Sequence, residues 1–191
     1  EASKGNLVSL GLSAEANARS TAALVEKSKL VPKTAKIGIL TGNEPVTQTA
    51  GETLAAALES RGFDVASSIV VNTLPGDTAA MNRESAAAVA TFKSAGVDTV
   101  FNLLPFGAAT GYYQEAQRSG AGFSNFIMDS ANSTCTQFSA SRTPPEIAGA
   151  PCITTWDTRA LPTKDGVKAD SAFEKKCRTV FDDAFATTSQ P

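Results

Sequence analysis

The feature that most constrains this chain is a change of period that recurs along it. Short apolar runs rich in β-branched residues alternate with alanine-rich stretches in which apolar residues return every three or four positions. KIGILTGNEPVTQTAG, residues 36–51, holds one such change. Its run from Ile37 to Leu40 predicts a strand, and Gly42 and Pro45 predict a turn. Ala50, Leu54 and Leu58 at four-residue spacing then predict a helix over about 47–61, stopped by Gly62.

The same unit repeats on both sides. LVSLGL, residues 7–12, reads as an extended segment, and Ser13 is placed to cap a helix over about 14–29 with Ala22, Val25 and Leu30 toward the core, ended by Pro32. A second strand is expected over 65–71, then a turn at NTLPGD and a helix over 78–95 that buries Met81, Val89 and Phe92 and closes at Gly96. VDTVFNLLP predicts a third strand over about 97–104, apolar enough to be covered on both faces. A turn at 105–107, a helix over 108–119 and a fourth strand over 123–130 follow.

Strands and helices alternating in this way predict an α/β fold, doubly wound, with a mainly parallel sheet, helices on both faces and right-handed crossovers. One lobe is expected over 1–191, with a core over about 5–131 and an irregular, disulfide-containing extension over 132–168. A short edge strand at CITTWDT lies in that extension, and a helix over 169–186 ends the lobe.

Composition excludes several functions. The net charge is −2 and the basic runs are two or three residues long, which leaves no electropositive surface for nucleic acid. No apolar run reaches the roughly 20 residues of a spanning helix. The first residues lack the apolar segment of a signal peptide, so an exported form is expected to have lost its leader. The chain has no histidine, which removes the commonest general base, the usual zinc ligand and any Ser/His or Cys/His pair. Cys135, Cys152 and Cys177 share no metal-like spacing. A Cys135–Cys152 bridge would close a loop worth about 3 kcal/mol of unfolded-chain entropy and would place the protein outside a reducing cytosol; the alternative is three buried thiols.

The turn after the first strand matches neither a P-loop nor a dinucleotide fingerprint, and Glu44 sits where phosphate would need positive charge. No nucleophile elbow is present. Glu44 and Asp129 make a carboxylate pair on paper, but an enzyme on this sheet would lack an evident base. No enzyme activity, cofactor or metal is expected. Ligands of open α/β sheets bind outside the carboxyl ends of the strands, which here carry Asn43, Glu44 and Val46, then Pro105 and Phe106, then Asp129 and Ser130. These suit holding a small solute.

In order and spacing, NLVSLGLS, KIGILTGNEP, ESRGFDV, VNTLPGD, FKSAG, VDTVFNLLPFG and YYQEAQRSG resemble the second lobe of type I periplasmic binding proteins, the extracytoplasmic solute-binding components of ABC importers for branched-chain amino acids and related molecules. The resemblance covers about two thirds of the chain, from Gly5 to about Ser130. It implies a small-molecule solute held between two lobes by hinge closure. It also implies a first lobe absent from this chain, the membrane permease of an ABC importer as partner, and an extracytoplasmic location. A lipid anchor, where present, would lie on a segment outside this chain. The helix over 169–186 would lead back toward the absent lobe.

Carried over by position, Val46 falls near a ligand-touching side chain that is often aromatic in amino-acid binders. Phe106 matches a second aromatic without a hydroxyl, and Asp129 is one place from an acid that pairs with an amino group, where Ser130 stands. These departures leave an aromatic or branched acid as open as an amino acid. The alternative role on the same fold is the ligand-sensing domain of a receptor or transcriptional regulator.

Overall fold

In the computed structural model, which describes residues 13–73, 78–129 and 150–154, the strands and helices expected within those limits all form. Ser13 starts α1 (Ala14–Ser28), its Oγ accepting the Ala16 amide at 3.2 Å. The helix stops at Lys29, which takes a left-handed conformation with φ 55° before Pro32 is reached. That turn carries the chain off the helical path. Leu30, expected in the core, is therefore 58% exposed, and Val31 is buried instead.

β1 (Lys36–Gly42) runs two residues past its apolar stretch, because Thr41 and Gly42 still pair with Val70 and Val71 of β2 (Asp64–Val71). α2 (Pro45–Glu59) begins two residues earlier than expected, with Pro45 in its first turn, where a missing amide costs no helical bond. Its Ala50, Leu54 and Leu58 are buried as the spacing requires. Gly62 accepts φ 76° after α2, and Gly96 accepts φ 69° after α3 (Thr78–Ser94), conformations that a Cβ disfavours. Val89 and Phe92 of α3 are buried; Met81 is only partly so.

β3 (Thr99–Asn102) is shorter than its apolar run, since Val97 donates to the Phe92 carbonyl at 2.9 Å and is still part of the turn that closes α3. α4 (Phe106–Arg118) starts at Phe106, two residues before the expected position. β4 (Ser124–Asp129) and a short edge strand, β5 (Cys152–Thr154), complete the sheet.

The five strands are all parallel, in the order β2-β1-β3-β4-β5, and with their helices they form the α/β fold that the sequence predicts. On one face α1 and α2 close over Ile37, Ile39, Phe101 and Phe126, whose two aromatic rings stack at 5.1 Å. On the other, α3 and α4 cover Leu40, Val100 and Leu104 with Phe92, Tyr112 and Tyr113. Each large apolar side chain fully buried in this way contributes about 1.5–3 kcal/mol. Gly51 sets the approach of α2 to the sheet, since a Cβ there would lie 2.3 Å from Thr41 Cγ2.

Contacts divide the chain into Glu1–Thr155 and Trp156–Pro191, and the described residues all belong to the first unit. The segment 7–12, Ser130, Cys135, Cys177, most of the 132–168 extension and the helix over 169–186 lie outside the described residues.

Candidate functional site

Register across the sheet defines a single rim. Leu40 of β1 stands opposite Asn102 of β3, Asn102 opposite Ile127 of β4, and Ile127 opposite Cys152 of β5. Two residues further along, Gly42, Asp129 and Thr154 end β1, β4 and β5 at the carboxyl edge, while β3 has already ended at Asn102. The chain after β1 leads to β2 on one side, whereas β3 and β4 lie on the other. The topological switch point thus falls between β1 and β3, where an open sheet leaves a crevice. The Leu103 amide donates to the Leu40 carbonyl at 2.8 Å, so the two strands stay joined up to the mouth of that crevice.

On the β1 side, Glu44 is the N-cap residue of α2, without a cap hydrogen bond from its own side chain. Its carboxylate turns toward β2 instead. Oε1 accepts the Thr73 hydroxyl at 2.6 Å, and Oε2 lies 3.2 Å from the Thr47 hydroxyl, which also faces the Gly42 and Glu44 carbonyls at 3.1 and 2.9 Å. Burial works against the charged form, but the bonds from Thr73, its own backbone and Thr47 prevail and hold Glu44 below the ordinary carboxylate range. Gly42 makes room for this fold-back, because a Cβ there would sit 2.2 Å from Glu44 Oε2.

Asn43 is drawn the same way. Its Oδ1 accepts the Thr73 amide at 3.1 Å and faces the Thr73 hydroxyl at 2.9 Å, while Nδ2 donates to Asn72 Oδ1 at 3.2 Å. Gln48 donates to the Asn43 carbonyl at 2.9 Å. The Asn72 amide, at the far end of this bracket, donates to the Glu84 carboxylate on α3. Because β2 lies on the side of β1 opposite β3, the polar groups of Asn43 and Glu44 are spent away from the crevice. Val46, 55% exposed in the first turn of α2, is the apolar side chain left at that lip.

On the β3 side, the buried Asn102 folds back on its own chain, its Oδ1 accepting the Leu104 amide at 2.8 Å. Such a side-chain turn ends the strand and aims the chain into Pro105. Beneath it, burial pushes the Tyr113 phenol up, with the Asn102 carboxamide pulling the other way. Pro105 is the N-cap residue of α4, with no side-chain cap bond and no acidic residue in the first turn. Phe106, half-buried, opens that helix beside the crevice.

Asp129 lies at the rim one strand beyond β3, paired with Thr154. The rim thus brings Asn43, Glu44, Val46, Pro105 and Phe106 around one switch point, with Asp129 at its margin and Ser130 outside the described residues. Asn72, Thr73, Thr47 and Asn102 escape a reading of sequence alone. The signal for the first two was position, since NTLPGD follows a strand and reaches the same edge; Asn102 looks like an interruption in an apolar run until its bond to Leu104 is seen. Among the described residues no group of three or more His, Cys, Asp and Glu side chains is placed to hold a metal, and no helix is long and apolar enough to cross a membrane.

Fold and rim together define an open, parallel α/β unit whose strand order reverses between β1 and β3. No family model matches the chain, and no curated protein matches it significantly. Among solved structures it is similar to a branched-chain amino acid ABC transporter protein from Rhodospirillum rubrum, at 12% identity and a TM-score of 0.49, over 60% of this chain and 30% of that one. It is also similar to an ABC transporter solute-binding protein from R. palustris in complex with 4-hydroxybenzoate, at 19% identity and a TM-score of 0.47, over 60% and 29% of the two chains. A third is a branched-chain amino acid ABC transporter protein from Thermus thermophilus with bound valine, at 18% identity and a TM-score of 0.47, over 59% and 27%. The chain spans less than a third of the length of each.

Proposed function

We propose that this chain is one lobe of an extracytoplasmic solute-binding protein of an ABC importer, and that it closes with a second lobe on a small organic acid or amino acid. The observation that carries the reading is the switch point between β1 and β3, where the Leu103 amide donates to the Leu40 carbonyl at 2.8 Å and the chain leaves β1 toward Val46 and β3 toward Phe106 on opposite faces of the sheet. The side chains of Val46 and Phe106 are apolar, and the first turn of α4, without a side-chain cap, suits an anionic group. A carboxylate on a branched or aromatic body meets both conditions. The bracket of Asn43, Glu44 and Thr73 shapes the lip, and the absence of a histidine base fits binding without turnover.

The partners in this account are the solute, a first lobe of the same polypeptide and a membrane permease. Lobe closure supplies the other wall of the cleft. Export agrees with a disulfide at Cys152, for which we assign Cys135 as partner. Non-reducing peptide mapping tests the pairing: a 135–152 linked peptide is expected, and three alkylatable thiols in native material would contradict export.

The decisive comparison is between this chain and the whole polypeptide that contains it. The gene is expected to encode a second α/β lobe of roughly a hundred residues or more outside residues 1–191. Calorimetry with a panel of branched and aromatic acids should find tight binding to the two-lobed protein and weak binding to this chain. Equal affinity for both would overturn the two-lobe reading.

A further inference from the structure

β2 is an edge strand, hydrogen-bonded only to β1 among the described residues. Edge strands expose a row of unpaired backbone groups, and proteins usually guard them with lysine, proline or distortion. The guard here is partial. A register shift at Ile37/Gly38 disturbs the first part of the pairing, but SSIVV, residues 67–71, runs on in regular register without a charge or a proline. Val70 is 52% exposed there.

Beside this edge, between β2 and α2, lies a groove of about 370 Å³. Ala55, Ala56 and Val70 give it apolar walls, Glu52 and Glu59 place two carboxylates on its α2 side, and no basic residue among the described ones lines it. Spaced seven apart, these glutamates stand two helical turns from one another on one face of α2. The groove thus combines an open strand edge, apolar walls and a negative rim.

We propose that this surface binds an extended segment of another protein in which apolar residues alternate with lysine or arginine, by adding a strand to β2. Main-chain bonds to residues 67–71 would supply the pairing. Alternate side chains would fill the groove, and basic ones would meet Glu52 and Glu59. A second copy of this chain is the wrong occupant, because pairing through β2 would bring two rims of Glu52 and Glu59 together. The proposal concerns the β2 flank of α2 and does not depend on the solute of the β1/β3 crevice.

The test uses the full chain, labelled with ¹⁵N, and two capped ten-residue peptides, one alternating valine with lysine and one alternating valine with glutamate. The lysine peptide should slow amide exchange at residues 67–71, and the glutamate peptide should not. E52Q/E59Q, two surface changes that leave the core untouched, should weaken the lysine peptide by about fivefold while the exchange pattern of β1 and β3 stays unchanged. Absence of protection at residues 67–71, equal action of both peptides, or concentration-dependent dimerisation without peptide would each overturn the proposal.

Discussion

The Thr73 hydroxyl donates to the Glu44 carboxylate at 2.6 Å, tying the residue that precedes α2 to the end of edge strand β2. A hydroxyl has one proton, so this bond and the 2.9 Å approach to Asn43 Oδ1 share a single donor; the Thr73 amide serves Asn43 independently. The lip of the crevice is thus a bracket across two strand ends.

Thr73→Val keeps the shape of the side chain and removes its proton. Loss of a hydrogen bond to a charged acceptor is expected to cost about 1.5–3 kcal/mol in urea denaturation. The Glu44 titration followed by NMR should move up toward the ordinary carboxylate value. An unchanged Glu44 titration would mean that the bracket does not form in solution.

The bracket also sets an acid dependence. Glu44 is held below its unfolded value, so its contribution is present above the unfolded pKa and is lost as pH falls through the lower, folded one. Between pH 6 and 3 the urea midpoint of the native chain should fall more steeply than that of Glu44→Gln. Glu15 is lowered too, mainly by its own backbone and by Ser13, so the variant should keep that share of the acid sensitivity.

Close approach of α2 to β1 can be tested by a cycle. Gly51→Ala gains up to about 1 kcal/mol of helix propensity but sets a methyl 2.3 Å from Thr41 Cγ2. Overpacking of this kind costs about 1–3 kcal/mol, so a net loss of stability is expected. Thr41→Ser removes the opposing methyl, and the double variant should recover most of the loss.

Asn102 is the corresponding point on the other lip. Asn102→Ala leaves the buried Leu104 amide without its 2.8 Å partner and should cost about 1–3 kcal/mol. Amide exchange should quicken at Leu104 and in the first turn of α4 before it does in β1.

Much of this architecture was legible in the sequence because its cues are local. Changes of period place the elements, and Ser13, Gly62 and Gly96 mark helix boundaries by chemistry that acts within a few residues. The misplaced boundaries had non-local causes. Thr41 and Gly42 extend β1 because β2 pairs with them, and Leu30 leaves the core because Lys29 turns left-handed. The rim was legible for the same reason as the fold, since strand ends carry it. The direction of its side chains was not: Asn43 and Glu44 turn toward Asn72 and Thr73, which lie roughly thirty residues along the chain and meet them only once β1 and β2 pair.

The central claim is that the β1/β3 crevice of this unit forms half of a solute cleft. It is tested most directly by titrating the ¹⁵N-labelled chain with branched and aromatic acids and mapping the amide shifts. The account predicts weak, saturable binding, on the order of millimolar, with shifts confined to Asn43–Thr47 and Leu103–Ala108 and reduced about fivefold in affinity by Phe106→Ala. Shifts elsewhere, or micromolar binding by this chain alone, would contradict it.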